Sequence, residues 1–235
     1  MNIYLTNIKD ADIKELQKYI SWCDEKRQQS IERYRFEGDK KRGIVAGLLL
    51  RYAYRMYQKQ NHMNMAERVI LDYHEHGKPY IKGGEKLHFS LSHAEDYVLL
   101  ACDTLEIGAD IECIGRKKNA MAMAKRFYTH EEYFSLEAID NEAEREYEFI
   151  RIWTQKESYI KLLGLGLQYG MNSFYRAEDG TVIDKKREGK NDISIYEIQD
   201  ISGYCASVCY INDGNACKRD AFEIQDVPIE MLIKR

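Results

Sequence analysis

Asp110 and Glu112 stand two residues apart in Ile107-Gly108-Ala109-Asp110-Ile111-Glu112, and Glu157 and Lys161 stand four apart in Trp153-Thr154-Gln155-Lys156-Glu157-Ser158-Tyr159-Ile160-Lys161. On a strand, the first spacing puts both carboxylates on the face opposite Ile107, Ala109 and Ile111. Carboxylates held that close raise each other's pKa unless a cation lies between them, and an oxygen-only donor set favours a hard ion such as magnesium. The same spacing also describes an ordinary solvated strand face. On a helix, the second spacing puts Glu157 and Lys161 on one side, either as a surface ion pair or as a charged couple facing a ligand. Upstream, Phe89-Ser90-Leu91-Ser92-His93 adds two hydroxyls and an imidazole. Three carboxylates, a lysine and a histidine form a set suited to binding a metal and a diphosphate.

The elements that must position these groups are legible from periodicity. Leu105 to Glu112 reads as a strand. Phe149, Ile152, Trp153, Ile160 and Leu163 recur at helical spacing, so Glu142 to Leu163 reads as an amphipathic helix that ends at Gly164 and Gly166. Lys156 falls between Trp153 and Ile160, where it either snorkels or has a partner. Thr129-His130-Glu131-Glu132 reads as a capping box opening another helix. In the first half, a strand is expected over Asn2 to Ile8, with helices near Asp12 to Trp22 and Asp39 to Gln58, the latter capped by Asp39. Strands follow near Val69 to Tyr73, Leu87 to Leu91 and Tyr97 to Cys102. In the second half they follow near Ser173 to Ala177, Ile193 to Ile198 and Gly203 to Tyr210. A long helix followed by an antiparallel hairpin thus occurs twice, which predicts an α+β fold made by duplication, with residues 1–104 and 105–235 as its two similar subdomains. With two prolines in the chain and no Gly/Ser linker, the halves are expected to pack tightly near Asp103 to Glu106.

At 235 residues with a net charge of -4, the chain is long enough for a substantial core and is not composed as a nucleic-acid binder. No apolar run approaches a membrane span, and the N-terminus lacks a basic region followed by an apolar one, so a soluble cytoplasmic protein with no membrane partner is expected. The six cysteines are scattered, as expected of free thiols in a reducing compartment.

Taken in order, Gly77-Lys78-Pro79, Phe89 to His93, Ile107 to Glu112 and Trp153 to Lys161 resemble the motifs of the 4'-phosphopantetheinyl transferases, specifically the larger surfactin-type (Sfp-type) branch. That resemblance implies two subdomains related by a pseudo-twofold axis, with the active site in the cleft between them, in a functional monomer. It implies transfer of the phosphopantetheine arm of coenzyme A to a serine of an apo acyl or peptidyl carrier protein, with release of 3',5'-ADP. Fatty acid, polyketide, nonribosomal peptide and lysine-pathway carriers all stay open. Carried over by position, Asp110, Glu112 and Glu157 are the magnesium (Mg2+) ligands, and Glu157 is the candidate base for the serine proton. Asp110 belongs to the same catalytic group, and Lys161 stabilises charge on the diphosphate. Lys26, Arg42, Lys78, Ser92 and His93 match positions that hold the nucleotide end of coenzyme A. Where family members often carry a second lysine shortly after the position of Lys26, this chain has Gln28 and Gln29.

Arg116, Lys117, Lys118, Lys125 and Arg126 surround Met121 and Met123 directly after the acidic strand. A basic rim around adaptable methionines fits an acidic carrier, and it is equally the pattern of a solvated face over core methionines. Two rival readings are a non-catalytic relative that binds coenzyme A or a carrier, and a metal-dependent phosphodiesterase. Retention of all three acids and Lys161 argues against the first. Nuclease cores usually place the lysine on a strand two residues after an acid, so a helical Glu157/Lys161 pair argues against the second.

Overall fold

Alternation in the first strand, β1 (Asn2–Asn7), buries Tyr4 in one core while Ile3 and Leu5 are buried on the opposite face. A computed structural model describes residues 1–65, 68–84, 86–115, 119–187, 192–212 and 222–234. The chain divides into two compact units, Met1–Leu105 with Asp220–Arg235, and Glu106–Arg219.

In the first unit, β1 pairs antiparallel with β5 (Tyr97–Asp103), which pairs antiparallel with β4 (His88–Ala94). Helix α3 (Glu37–Gln60) packs on this sheet and buries Ile44, Val45, Leu48 and Leu49 completely or nearly so. Each such side chain contributes roughly 1.5–3 kcal/mol of burial. A small hairpin, β2 (Leu71–Tyr73) with β3 (Pro79–Ile81), lies between α3 and β4 in the chain. Helix α1 (Ile13–Gln17) is capped by the Asp12 side chain, and a 3-10 turn over Ile20–Trp22 follows it, so the single helix expected over this stretch is broken in two. Helix α2 (Glu25–Arg33), which carries Lys26, has Ile31 as its one buried residue and therefore no apolar stripe to announce it. The expected cap at Asp39 is also corrected. Helix α3 begins a turn earlier, with Phe36 at the N-cap and no side-chain cap, and Asp39 sits in the first turn, bonded to Arg42 at 2.5 Å.

The second unit repeats this topology. Strand β6 (Ile107–Cys113) pairs antiparallel with β10 (Tyr204–Ile211), which pairs antiparallel with β9 (Ile193–Ile198), and helix α6 (Glu142–Leu163) packs across the three. A small hairpin, β7 (Phe174–Arg176) with β8 (Val182–Asp184), again separates the long helix from the last two strands. Two shorter helices, α4 (Ala120–Phe127) and α5 (His130–Glu137), precede α6, and α5 opens with the complete Thr129/Glu132 capping box. The expected α6 bounds coincide with those observed, closed by Gly164 at φ 68°.

A division at residue 104/105 that keeps the whole C-terminus in the second half does not hold. Strand β11 (Ile224–Asp226) pairs parallel with β1, Ile3 opposite Ile224, and extends the first sheet to the order β11-β1-β5-β4. Helix α7 (Ile229–Leu232) then buries Leu232 in the first unit's core. Cys23, Cys102, Cys113, Cys205 and Cys209 are free thiols, while Cys217 lies outside the described residues. Burial pushes the pKa of Cys23, Cys102 and Cys205 up to about 12. Among the described residues, no helix is long and apolar enough to cross a membrane.

Candidate active site

Gly108 determines how the second unit's chemistry is assembled. A Cβ at this position would lie 1.9 Å from the Ser158 carbonyl oxygen and 2.5 Å from the Leu162 nitrogen, so the backbone of α6 rests directly on β6. The face of β6 that carries Gly108, Asp110 and Glu112 is therefore the one under α6, opposite Ile107, Ala109 and Ile111 as the alternation requires. Asp110 is only 4 % exposed, and its Oδ1 accepts a 2.7 Å hydrogen bond from the Lys161 ammonium. Lys161 stands in the last turn of α6, where a cation also suits the helix dipole. Glu157 lies one turn earlier on the same helix and is half-buried, as is Glu112. Asp110 and Lys161, 51 residues apart, are thus brought together. Among the described residues, no three His, Cys, Asp or Glu side chains converge closely enough to form a metal cluster.

The rest of α6 is pinned on every side. Lys156 is 1 % exposed and uses all three donors, on the Met171 carbonyl at 2.9 Å, the Phe174 carbonyl at 2.7 Å and Glu132 Oε2 at 2.8 Å. Burial lowers its pKa, and the Glu132 carboxylate opposes that shift. Glu132 Oε2 also accepts the Thr129 amide, so the residue that caps α5 is the counter-ion held against α6. Trp153 packs edge-on to Phe127 and against Phe149, and the Thr154 and Ser207 hydroxyls meet at 3.1 Å. These contacts fix the rotation of the helix that presents Glu157 and Lys161. Replacing Lys156 with methionine should destabilise the protein by about 3 kcal/mol in urea titrations, since it leaves the Glu132 carboxylate without its counter-ion and two carbonyls without the ammonium donor. A loss below about 0.5 kcal/mol would contradict this account. Sequence patterning flagged Lys156 as needing a partner; the signal for that partner was Glu132, which the capping box explained on its own.

The nucleotide-end candidates lie in the first unit. Lys26 Nζ sits 3.5 Å from the centre of the Tyr73 ring, so α2 is held against the hairpin that carries Lys78. Arg42 bonds Asp39 and donates to the Glu95 carbonyl at 2.9 Å, in the turn that follows Ser92 and His93. Ser92 is buried in β4, and His93 is exposed on the next position. Lys125 and Arg126 are exposed in the last turn of α4, while Met121 and Met123 are half-buried against the second core. Arg116, Lys117 and Lys118, the remainder of the basic rim, lie outside the described residues.

An acidic strand and a Glu/Lys helix thus meet in one α+β unit, which is preceded in the chain by a topologically equivalent unit. A family model described as the 4'-phosphopantetheinyl transferase superfamily matches residues 106–209, and one described as 4'-phosphopantetheinyl transferase, N-terminal, matches residues 10–105. The chain is 33% identical over 187 residues to the 4'-phosphopantetheinyl transferase psf-1 of Bacillus pumilus, covering 77% of each chain. It is 32% identical to the gsp enzyme of Aneurinibacillus migulanus, over 78% of this chain and 74% of that one. To Sfp of Bacillus subtilis it is 29% identical, over 83% of this chain and 85% of the relative. The chain belongs to the Sfp-type 4'-phosphopantetheinyl transferases. It is an enzyme that transfers phosphopantetheine to carrier proteins.

Proposed function

We propose that the donor is coenzyme A, that the acceptor is a serine of an apo acyl or peptidyl carrier protein, that the reaction depends on magnesium, and that it releases 3',5'-ADP. The observation that carries this reading is the Lys161–Asp110 pair beneath α6, one helical turn from Glu157, in a chain of this family. Although their side chains do not converge into a metal cluster among the described residues, Asp110, Glu112 and Glu157 are an oxygen-only donor set whose chemistry suits a hard divalent cation, which when bound would neutralise charge on the diphosphate. Glu157 accepts the proton of the attacking serine hydroxyl. Lys161, held by Asp110, places its ammonium to stabilise charge on the diphosphate and the departing ADP phosphate. Lys26, Lys78, Ser92 and His93 take the nucleotide end. Arg42 joins them through donors beyond the two bound to Asp39 and Glu95.

The exposed Lys125 and Arg126 beside Met121 and Met123 form part of the face that meets the acidic carrier, and the protein acts as a monomer. Intact-mass spectrometry of an apo-carrier incubated with this protein, coenzyme A and magnesium tests the reading. The expected result is a mass gain of one phosphopantetheine arm, abolished by EDTA. Absence of any gain with fatty acid, polyketide and nonribosomal peptide carriers alike, together with no detectable binding of coenzyme A, would overturn it.

A further inference from the structure

Where the ends of β1 and β11 meet α1 and α7, the first unit has a cleft of about 740 Å³, within the range that encloses a ligand. Every residue of its wall belongs to that unit. Leu5, Leu16, Val227 and Ile229 give it an apolar floor. Around the floor stand Asp10, Asp12, Glu15, Asp226 and Glu230, all exposed, and among the described residues no lysine, arginine or histidine lines the cleft. Asp12 is occupied in capping α1, and Glu15 is paired with Lys18 at 2.5 Å. Asp10, Asp226 and Glu230 make no ion pair among the described residues.

One side of the cleft is also the edge of a sheet, because β11 stands last in the order β11-β1-β5-β4. In a parallel ladder alternate residues turn their backbone groups to the partner strand. The Val227 amide donates to the Leu5 carbonyl at 2.8 Å, so Gln225 and Val227 face β1 and Asp226 turns its own N–H and carbonyl outward. The acid rim, the apolar floor and the open strand edge thus coincide. We infer that this cleft docks an extended basic segment of a partner protein, which adds to β11 as a further strand. Lysine or arginine at alternate positions of that segment stands beside Asp226, and the residues between them place apolar side chains on the side of Val227 and Ile229. The charge sign is opposite to that of Lys125 and Arg126, so the acidic surface of a carrier is repelled here and is not the occupant.

Fluorescence anisotropy of a labelled heptapeptide alternating lysine and valine, titrated with the intact chain, tests the assignment. Binding should saturate, weaken with added salt as exposed charges are screened, and fall at least about tenfold for the Asp226→Lys/Glu230→Lys protein. Neither residue belongs to the transfer machinery, so that variant should modify a carrier at the wild-type rate, which reports that it is folded. N-methylation of every second peptide amide removes strand pairing, and serine in place of valine removes the apolar contact; each change should also weaken binding. Spermidine supplies charge alone, and its displacing the peptide at equal charge concentration would overturn the inference in favour of a small-cation site. Self-association of the wild-type protein that the charge-reversed variant loses would overturn it in favour of a second copy. Absence of saturable binding up to about 1 mM peptide, or equal binding by the charge-reversed variant, would remove the docking site altogether.

Discussion

Alanine at Glu157 should reduce transfer at least about a hundredfold, the lower range for losing a positioned general base, and lower the urea midpoint less than Asp110→Ala does. Glu157 is half-buried on α6, one turn before Lys161, and does not share the burial of Lys156 or Tyr159 beside it. Its removal therefore costs little packing. Asp110→Ala should behave differently, losing both transfer and stability, because Asp110 is the buried partner of Lys161. The two roles separate in a double-mutant cycle: the Asp110→Asn/Lys161→Met protein should be more stable than the sum of its single variants implies, while transferring no better than either. Single-turnover rates within twofold of wild type for Glu157→Ala, with magnesium and coenzyme A saturating, would remove Glu157 from the proton-transfer role.

The local features of this architecture were legible where side-chain pattern and chain punctuation agree. Helix α6 combines a long apolar stripe, an Asn141 cap and a Gly164 stop, and each signal points to the same bounds. The first turn of α3 misleads because an acid near a helix start is favourable in the first turn as well as at the cap, and Asp39 occupies the turn. Strand β11 is three residues long and pairs with the opposite end of the chain, so no local pattern could assign it to the first unit. At the site, alternation placed Asp110 and Glu112 on one face, but it could not tell that this face lies under a helix. The lysine that meets Asp110 is 51 residues away, and the intervening geometry depends on a glycine whose meaning is tertiary.

That glycine supports the second large prediction. In Gly108→Ala the new methyl group would sit 1.9 Å from one backbone atom of α6 and 2.5 Å from another, and backbone cannot rotate aside as a side chain can. Helix α6 must then move off β6 as a body, yet it is held by the Lys156 ammonium, the Trp153 aromatic stack and the Thr154–Ser207 contact. Either the clash persists or those contacts break, and the cost lies at or above the upper end of overpacking, about 3 kcal/mol or more. Whatever displacement relieves the clash also lengthens the 2.7 Å Lys161–Asp110 contact. Transfer should therefore fall even in the fraction that stays folded. Urea titration followed by Trp153 fluorescence in a Trp22→Phe background measures the first effect, and single-turnover transfer at low temperature, normalised to folded protein, measures the second. A Gly108→Ala protein as stable and as active as wild type would show that α6 does not rest on β6 and that the site is positioned by other means.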